Sequence, residues 1–83
     1  MIILTPELAE KRIQARQVYP GCEWLPGDDC PSGMEVLSRH GDKCIVLNEY
    51  QPSSEHPELA YWWRVETPNK QIALEWPPTL KRV

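Results

Sequence analysis

Proline is the residue type that most restricts how this chain can fold. Nine of the 83 residues are proline, about twice the usual usage of roughly 5%. Because each proline fixes φ and removes a backbone donor, we expect only short helices and strands. A chain of this length is expected to form one domain, residues 1–83, which buries only about 60% of its unfolded surface. The sequence therefore predicts short elements around a modest core.

The first predicted element is a helix over residues 5–18. Thr5 is a suitable N-cap, and Pro6 occupies the first helical position, where a backbone donor is not needed. The Pro-Gly pair at 20–21 ends the helix. Its predicted apolar face is narrow and consists of Leu8, Ala15 and Val18. Residues 2–4 are expected to form a short strand or a frayed end.

Two connections and a hairpin follow. Residues 19–33 predict a loop rich in proline and glycine, with Trp24 and Leu25 as its apolar anchor. Residues 34–50 predict a hairpin with a two-residue turn at Gly41-Asp42, which would place Cys44 opposite Arg39. Residues 51–60 predict a polar loop.

Residues 61–76 predict a second hairpin, with its turn at 67–70. The register that follows gives three apolar cross-strand pairs: Val65 with Ile72, Trp63 with Leu74, and Tyr61 with Trp76. Because side chains alternate across a strand, Trp63 is predicted to lie in the core and Trp62 to point the other way. Residues 79–83 predict a short edge strand or a tail.

The expected fold class is α+β. An N-terminal helix packs on a small antiparallel meander of four to five strands, either as an open sheet or as a partly open barrel. The spacing of "PSGMEVL", "GDKCIVLNEY" and "YWWRVE" is similar to that of a small SH3-like barrel over residues 26–76. Such barrels serve many functions, so this resemblance implies a fold and no activity.

Charge and composition exclude several classes of protein. The net charge is −3, whereas a general nucleic-acid-binding protein is usually basic, so nucleic acid is disfavoured as a partner. The initial apolar run has four residues, which is too short for a signal-peptide core, and we find no membrane-length apolar segment. Three cysteines, an odd number, favour reduced thiols. We therefore expect a cytoplasmic protein without membrane contact.

The main candidate site is a protein-binding surface around Trp62. Arg64 lies two residues along the same predicted strand face, where it could stack on the indole. Trp24, Asp28 and Asp29 of the preceding loop are predicted to lie beside this surface. Three alternatives remain open for the face of Trp62: the helix covers it, a second copy of the chain covers it, or Trp24, Tyr50, Trp62 and Trp76 form an aromatic cage.

Two further kinds of site are weaker candidates. Arg12 and Arg16, one helical turn apart, could join Arg64 in binding nucleic acid, with Trp62 as a stacking platform. A zinc site could draw on five residues: Cys22, Cys30, His40, Cys44 and His56. Their spacing lacks a C-x2-C knuckle, so no metal or other cofactor is expected, and a Cys22–Cys30 disulfide or three free thiols are the alternatives.

We expect no catalytic site. Ser38, His40 and Asp42 alternate around a predicted turn, without a nucleophile elbow or an oxyanion loop. The resulting hypothesis is a small, non-enzymatic interaction module that docks on a larger protein. Small acidic chains of this kind include accessory or inhibitor proteins of mobile elements. Nucleic-acid binding and a zinc-stabilised structural domain are the alternatives.

Overall fold

The computed structural model describes residues 4–83. Within that range the chain forms one α-helix and five antiparallel strands, which confirms the predicted α+β class. The elements are α1 (Pro6–Val18), β1 (Glu35–Leu37), β2 (Lys43–Glu49), β3 (Trp63–Glu66), β4 (Ile72–Glu75) and β5 (Lys81–Arg82). The expectation for residues 2–4 lies outside the described residues except for Leu4, which is exposed.

The five strands form an open sheet in the order β4-β3-β2-β1-β5. The chain runs through β1 to β4 as a meander, and β5 then returns to pair with β1 at the far edge. Two 3-10 turns, Pro57–Leu59 and Pro77–Thr79, precede β3 and β5, and each begins with a proline at its first position. The register of β2 against β3 shifts by one residue between Val46 and Asn48, which is a β-bulge that bends the sheet.

The helix α1 begins as predicted. The Thr5 hydroxyl accepts a hydrogen bond from the Leu8 N–H at 3.2 Å, and Pro6 follows the cap. Leu8 and Ala15 are buried, but the prediction for Val18 is wrong, since its exposed fraction is 67%. Val18 is the last residue of α1, outside the stretch between the buried residues Leu8 and Ala15. No helix in residues 4–83 has the length and apolar character needed to cross a membrane.

The proline- and glycine-rich loop connects α1 to the sheet. Leu8 packs so tightly against Gly27 that a Cβ atom at Gly27 would lie 2.8 Å from Leu8 Cδ2. Trp24, three residues earlier in the same loop, is buried in the core of the sheet. The loop therefore lies between helix and sheet and contacts both.

The core lies against one face of the sheet. Its buried members are Trp24, Val36, Cys44, Val46, Trp63, Val65 and Leu80. Trp63 is fully buried, as predicted, and packs edge to face against Trp24 with ring centroids 5.7 Å apart. The Trp63 indole Nε1 has no hydrogen-bond partner among the described residues. These two rings supply much of the apolar area of a core that is otherwise built from small aliphatic side chains.

The first hairpin turns over residues 39–41, not at the predicted Gly41-Asp42 pair. The Gly41 N–H donates to the Ser38 carbonyl at 2.9 Å, and Gly41 itself is left-handed with φ 84°. A turn followed by one left-handed residue is the three-residue hairpin loop, whereas the prediction used Gly41 in a two-residue loop. Cys44 therefore lies opposite Val36, in the core, and the predicted pairing with Arg39 is wrong.

The second hairpin uses the same loop. Lys70 N–H donates to the Thr67 carbonyl at 2.9 Å, so the predicted turn at 67–70 is present, but Lys70 is left-handed with φ 66°. That extra residue shifts the register by one, and the three predicted apolar pairs are wrong. The observed pairs are Trp63 with Glu75, Arg64 with Leu74, Val65 with Ala73, and Glu66 with Ile72. A one-residue shift reverses the faces of a strand, so Ala73 faces the core and Ile72 faces solvent.

Candidate functional site

Trp62 packs against another tryptophan at the surface. Its ring lies 5.5 Å from that of Trp76, tilted by 42°, and both residues are half-buried. The sequence predicted that Trp76 would pair inward with Tyr61, which fails because Tyr61 has φ 71° and lies before β3 begins. Two large rings therefore share one partly solvent-exposed contact.

The backbone of Trp62 is held on both sides. Its carbonyl accepts a hydrogen bond from the Tyr50 N–H at 2.8 Å, which extends the β2–β3 ladder. Its own N–H donates to the Leu59 carbonyl at 3.3 Å, at the end of the first 3-10 turn. The left-handed Tyr61 joins that turn to the strand, a conformation that is costly for a bulky side chain. Trp62 is thus positioned by structure on each side of it.

Trp76 is fixed by the second 3-10 turn. Its carbonyl accepts hydrogen bonds from the Thr79 hydroxyl at 2.7 Å and from the Thr79 N–H at 2.9 Å. Pro77 and Pro78 between them are buried and restrict the backbone further. Because both tryptophans border proline-initiated turns, the ring pair loses little conformational freedom when a ligand binds it.

The ring pair lies in a groove between α1 and the sheet. We call it the tryptophan groove; in the described part of the chain it consists of three adjoining cavities of about 690, 310 and 300 Å³, all lined by Tyr19. Trp62 and Trp76 line the middle cavity, and Trp76 also lines the smallest. Tyr19, Arg39 and Thr79 line both of the larger cavities and join them. The helix therefore forms a wall of the groove, and its Lys11 lines the same cavity as Trp62.

The two larger cavities differ in charge. The largest is lined by three cations, Arg39, Lys81 and Arg82, and by one carboxylate, Glu23, which gives it a net charge of +2 in a chain of net charge −3. Arg82 and Glu23 are paired at 2.7 Å, so two of the three cations of this cavity, Arg39 and Lys81, form no salt bridge within residues 4–83.

The middle cavity has balanced charge. Lys11 and Arg39 face Glu58 and Glu75 around the ring pair. A backbone hydrogen bond and a hydrogen bond from His56 lower the pKa of Glu58, so this exposed carboxylate stays ionised near neutral pH. The middle cavity therefore places two carboxylates beside the rings.

Trp24, predicted to be a surface residue, is instead buried. Its exposed fraction is 6%, it contacts Trp63, and the Arg82 guanidinium lies 5.3 Å from its ring centroid. An aromatic cage that includes Trp24 and Trp62 is therefore wrong, because Trp24 belongs to the buried core and Arg82 lies over its ring. Burial also removes Trp24 from the surface around Trp62.

The two loop aspartates have different environments. Asp28 Oδ1 accepts a hydrogen bond from Arg12 Nη1 at 2.7 Å, and Asp28 Oδ2 accepts one from the Leu25 N–H at 2.8 Å. Arg12 also donates to the Pro26 carbonyl at 3.0 Å. Asp29 is exposed. Asp28 therefore joins α1 to the loop, and Asp29 is the aspartate whose carboxylate points to solvent.

The predicted basic surface is divided between elements. Arg12 is engaged with the loop, Arg16 is exposed on α1, and Arg64 lies on the outer face of the sheet opposite Leu74. Within residues 4–83, the recorded cation–π contact joins Arg82 to Trp24, so the predicted stacking of Arg64 on Trp62 does not form. These arginines do not line one common groove with Trp62.

The cysteines are free thiols in the structure. Cys44 is buried, while Cys22 and Cys30 are half-buried. Burial raises the pKa of both Cys30 and Cys44, which keeps these sulfurs protonated and poor as ligands. Across residues 4–83, no group of three or more His, Cys, Asp or Glu side chains is arranged to hold a metal ion. The zinc alternative therefore has no site in the described structure.

The alternating Ser38, His40 and Asp42 serve the first hairpin turn. The Ser38 hydroxyl accepts hydrogen bonds from the backbone N–H groups of His40 and Asp42, at 3.2 and 3.3 Å. Thr67 makes the corresponding bond to the Gln71 N–H at 3.2 Å in the second hairpin. The Ser38 hydroxyl, which a catalytic triad would use as its nucleophile, is thus buried and caps the backbone of the turn.

The groove residues that the sequence analysis did not predict include Lys11, Tyr19, Arg39 and Thr79. They come from the helix, the residue after it, a hairpin loop and a 3-10 turn, so no spacing rule connects them. The chain matches no protein-family model, no curated protein and no solved structure.

Proposed function

We propose that this protein is a non-enzymatic interaction module that docks a segment of a larger protein in the tryptophan groove. The supporting observation is the packed pair of Trp62 and Trp76, two half-buried rings on the lining of a groove. Tryptophan, tyrosine and arginine are the residue types most enriched among interface residues that dominate binding energy. Trp62, Tyr19 and Arg39 supply all three types in one groove.

The proposal retains Trp62 from the sequence prediction and changes its neighbours. Arg39 replaces Arg64 as the groove arginine, and Trp76 replaces Trp24 as the second ring. Arg64 remains on the outer sheet face, and Asp29 remains an exposed residue that could contact a partner beyond the groove. The rings would anchor the partner, while the charges would set its orientation and rate of association.

A partly open SH3-like barrel is the more detailed fold that we infer. Three observations support it: β5 returns to pair with β1, a 3-10 turn precedes β5, and the bulge in β2 bends the sheet. We also infer a cytoplasmic location and, from size and acidic composition, an accessory or inhibitor role such as mobile elements encode. These finer inferences do not affect the test of the groove.

The test compares Trp62→Ala with Ile13→Ala, since Ile13 is exposed on α1 and does not line the groove. Acrylamide should quench part of the wild-type fluorescence, and that quenchable part should shrink in Trp62→Ala. Affinity capture should recover the same partner with wild type and Ile13→Ala and lose it with Trp62→Ala. Equal recovery by Trp62→Ala while it remains folded, or no specific partner, would contradict the proposal.

A homodimer is the alternative that one observation favours. Ile45 and Ile72 are 39% and 51% exposed and flank Glu66 on the outer sheet face. Apolar side chains on β2 and β4, the two strands that flank β3, can form a self-complementary contact. Sedimentation equilibrium of wild type and Ile72→Asp tests it: concentration-dependent association that Ile72→Asp removes would place the interface there.

A further inference from the structure

The tryptophan groove has chemically different ends, and this asymmetry restricts what can occupy it. The largest cavity carries a net charge of +2, while the middle cavity holds the ring pair and two carboxylates. Tyr19, Arg39 and Thr79 line both, so a single ligand can pass from one to the other. We call the largest cavity, which contains Arg39 and Lys81, the basic end of the groove. We call the middle cavity, which contains Trp62 and Trp76, the aromatic end.

We propose that the groove binds an extended peptide segment whose acidic residue occupies the basic end and whose proline or other apolar residue packs on the Trp62–Trp76 pair. This inference rests on the proposed function and specifies the partner. An extended segment suits a groove assembled from a helix end, a hairpin loop and a 3-10 turn. Aromatic-lined grooves take proline-rich segments because such segments are already extended and lose little entropy on binding.

The charges determine which end receives the acid. Arg39 and Lys81 have no salt bridge among the described residues, while the Arg82 charge is already paired with Glu23. A carboxylate placed there meets two available cations. At the aromatic end Glu58 and Glu75 offset Lys11 and Arg39, so the same carboxylate would meet no net positive charge there, which disfavours the reverse orientation. The acidic residue therefore also sets the direction of the bound segment.

The proposal predicts a peptide specificity that differs from non-specific binding of apolar peptides by exposed aromatic rings. Ring stacking alone would accept apolar peptides of any charge. The basic end adds a requirement for Asp or Glu at a constant separation from the apolar residue. An acidic protein of net charge −3 would otherwise prefer basic peptides, so selection of acidic ones is a discriminating result.

The experiment selects displayed random dodecapeptides on immobilised wild-type protein and on a variant that carries Arg39→Glu and Lys81→Glu. Both residues are exposed, so the charge reversals leave the core intact. The control variant carries Arg16→Glu and Lys70→Glu, which change net charge equally at exposed positions outside the groove. One peptide selected on wild type is then synthesised, and its affinity for all variants is measured by fluorescence anisotropy.

We expect wild-type selections enriched in Asp or Glu at a fixed distance from a proline or other apolar residue. The synthesised peptide should bind the Arg39→Glu, Lys81→Glu variant roughly tenfold more weakly, which corresponds to about 1.4 kcal/mol, and should bind the control unchanged. Selections on the charge-reversed variant should shift toward Lys and Arg.

Three results would overturn the inference. The first is selected peptides that need Trp62 for binding but have no preference for Asp or Glu and do not respond to the charge reversal. That result would refute the inference of an acidic ligand without contradicting the proposed function. If no selected peptide loses binding on Trp62→Ala, the inference and the proposed function both fail. Self-association of wild type that Trp62→Ala abolishes in sedimentation equilibrium would show that a second copy occupies the groove.

Discussion

Replacement of Asp28 tests whether the bond network between α1 and the loop carries a large share of the stability. Asp28→Ala removes the 2.7 Å ion pair with Arg12 and leaves the Leu25 N–H without its 2.8 Å acceptor. Hydrogen bonds to charged groups contribute about 1.5–3 kcal/mol each. Both side chains are partly exposed, 17% for Arg12 and 27% for Asp28, so water replaces part of the loss.

The two bonds sum to about 3–6 kcal/mol, and because water replaces part of that loss we expect Asp28→Ala to lower the free energy of unfolding by about 2–3 kcal/mol. A domain of this size loses about 4–8 °C of Tm per kcal/mol, so the shift should be roughly 10–20 °C. Asp28→Asn keeps an acceptor oxygen but loses the charge, and about 1 kcal/mol is expected. The matched control is Asp29→Ala, an exposed neighbour for which a change within about 0.5 kcal/mol is expected.

The assay is urea unfolding followed by tryptophan fluorescence, with thermal unfolding by circular dichroism as a second probe. A double-mutant cycle of Arg12→Ala and Asp28→Ala separates the ion pair from the bond to the Leu25 N–H. If Asp28→Ala stays within about 0.5 kcal/mol of Asp29→Ala, the network does not hold helix and loop together. Asp28 would then be available to a partner, as the sequence first suggested.

Three further changes test the backbone and the core. Lys70→Gly should raise the free energy of unfolding by about 0.5–1 kcal/mol, because Lys70 has φ 66°; an unchanged urea midpoint would contradict this. Gly33 and Gly27 both have a positive φ, so Gly33→Ala and Gly27→Ala should each lower the free energy of unfolding by about 1 kcal/mol. Gly27→Ala should lower it by about 1–3 kcal/mol more, because the new Cβ atom collides with Leu8. Equal urea midpoints for the two variants would contradict the close packing of Gly27 against Leu8. Burial raises the pKa of Glu49, so the ionised carboxylate destabilises the folded state above the ordinary pKa of 4.5. The stability of Glu49→Gln relative to wild type should therefore increase as the pH rises above 4.5 and should not increase below that pH. A stability difference that is independent of pH would refute this explanation.

Local signals in the sequence were enough to place the helix and the inward tryptophan. The Thr5 cap and Pro6 determine the helix start within one turn of chain, so no distant contact is needed to predict it. The prediction that Trp63 is buried depends on the alternation of side chains within one strand, so it is correct even though the predicted register of the partner strand is wrong. The burial of Val18 failed because it depends on how far the packing surface extends beneath the helix.

The registers were not predictable from apolar pairing alone. Both hairpins insert one left-handed residue after the turn, and the second does so with Lys70, a residue that gives no sign of positive φ. Apolar residues occupy both faces of β4, namely Ile72 and Leu74 outward and Ala73 inward. The apolar pattern therefore favours the wrong register, which gives Trp63 and Val65 large apolar partners. Their observed partners are Glu75 and Ala73.

The groove depends on those same register choices, which is why its composition differed from the prediction. With Glu75 opposite Trp63, β4 ends before Trp76, and the Pro77–Thr79 turn then directs Trp76 toward Trp62. In the predicted register Trp76 would have pointed inward, and Trp62 would have had Glu75 opposite it and Arg64 on the same face, with no second ring. The one-residue bulge at Lys70 thus converts a lone exposed tryptophan into a packed pair, and the proposed binding surface follows from hairpin geometry as much as from the residues that line it.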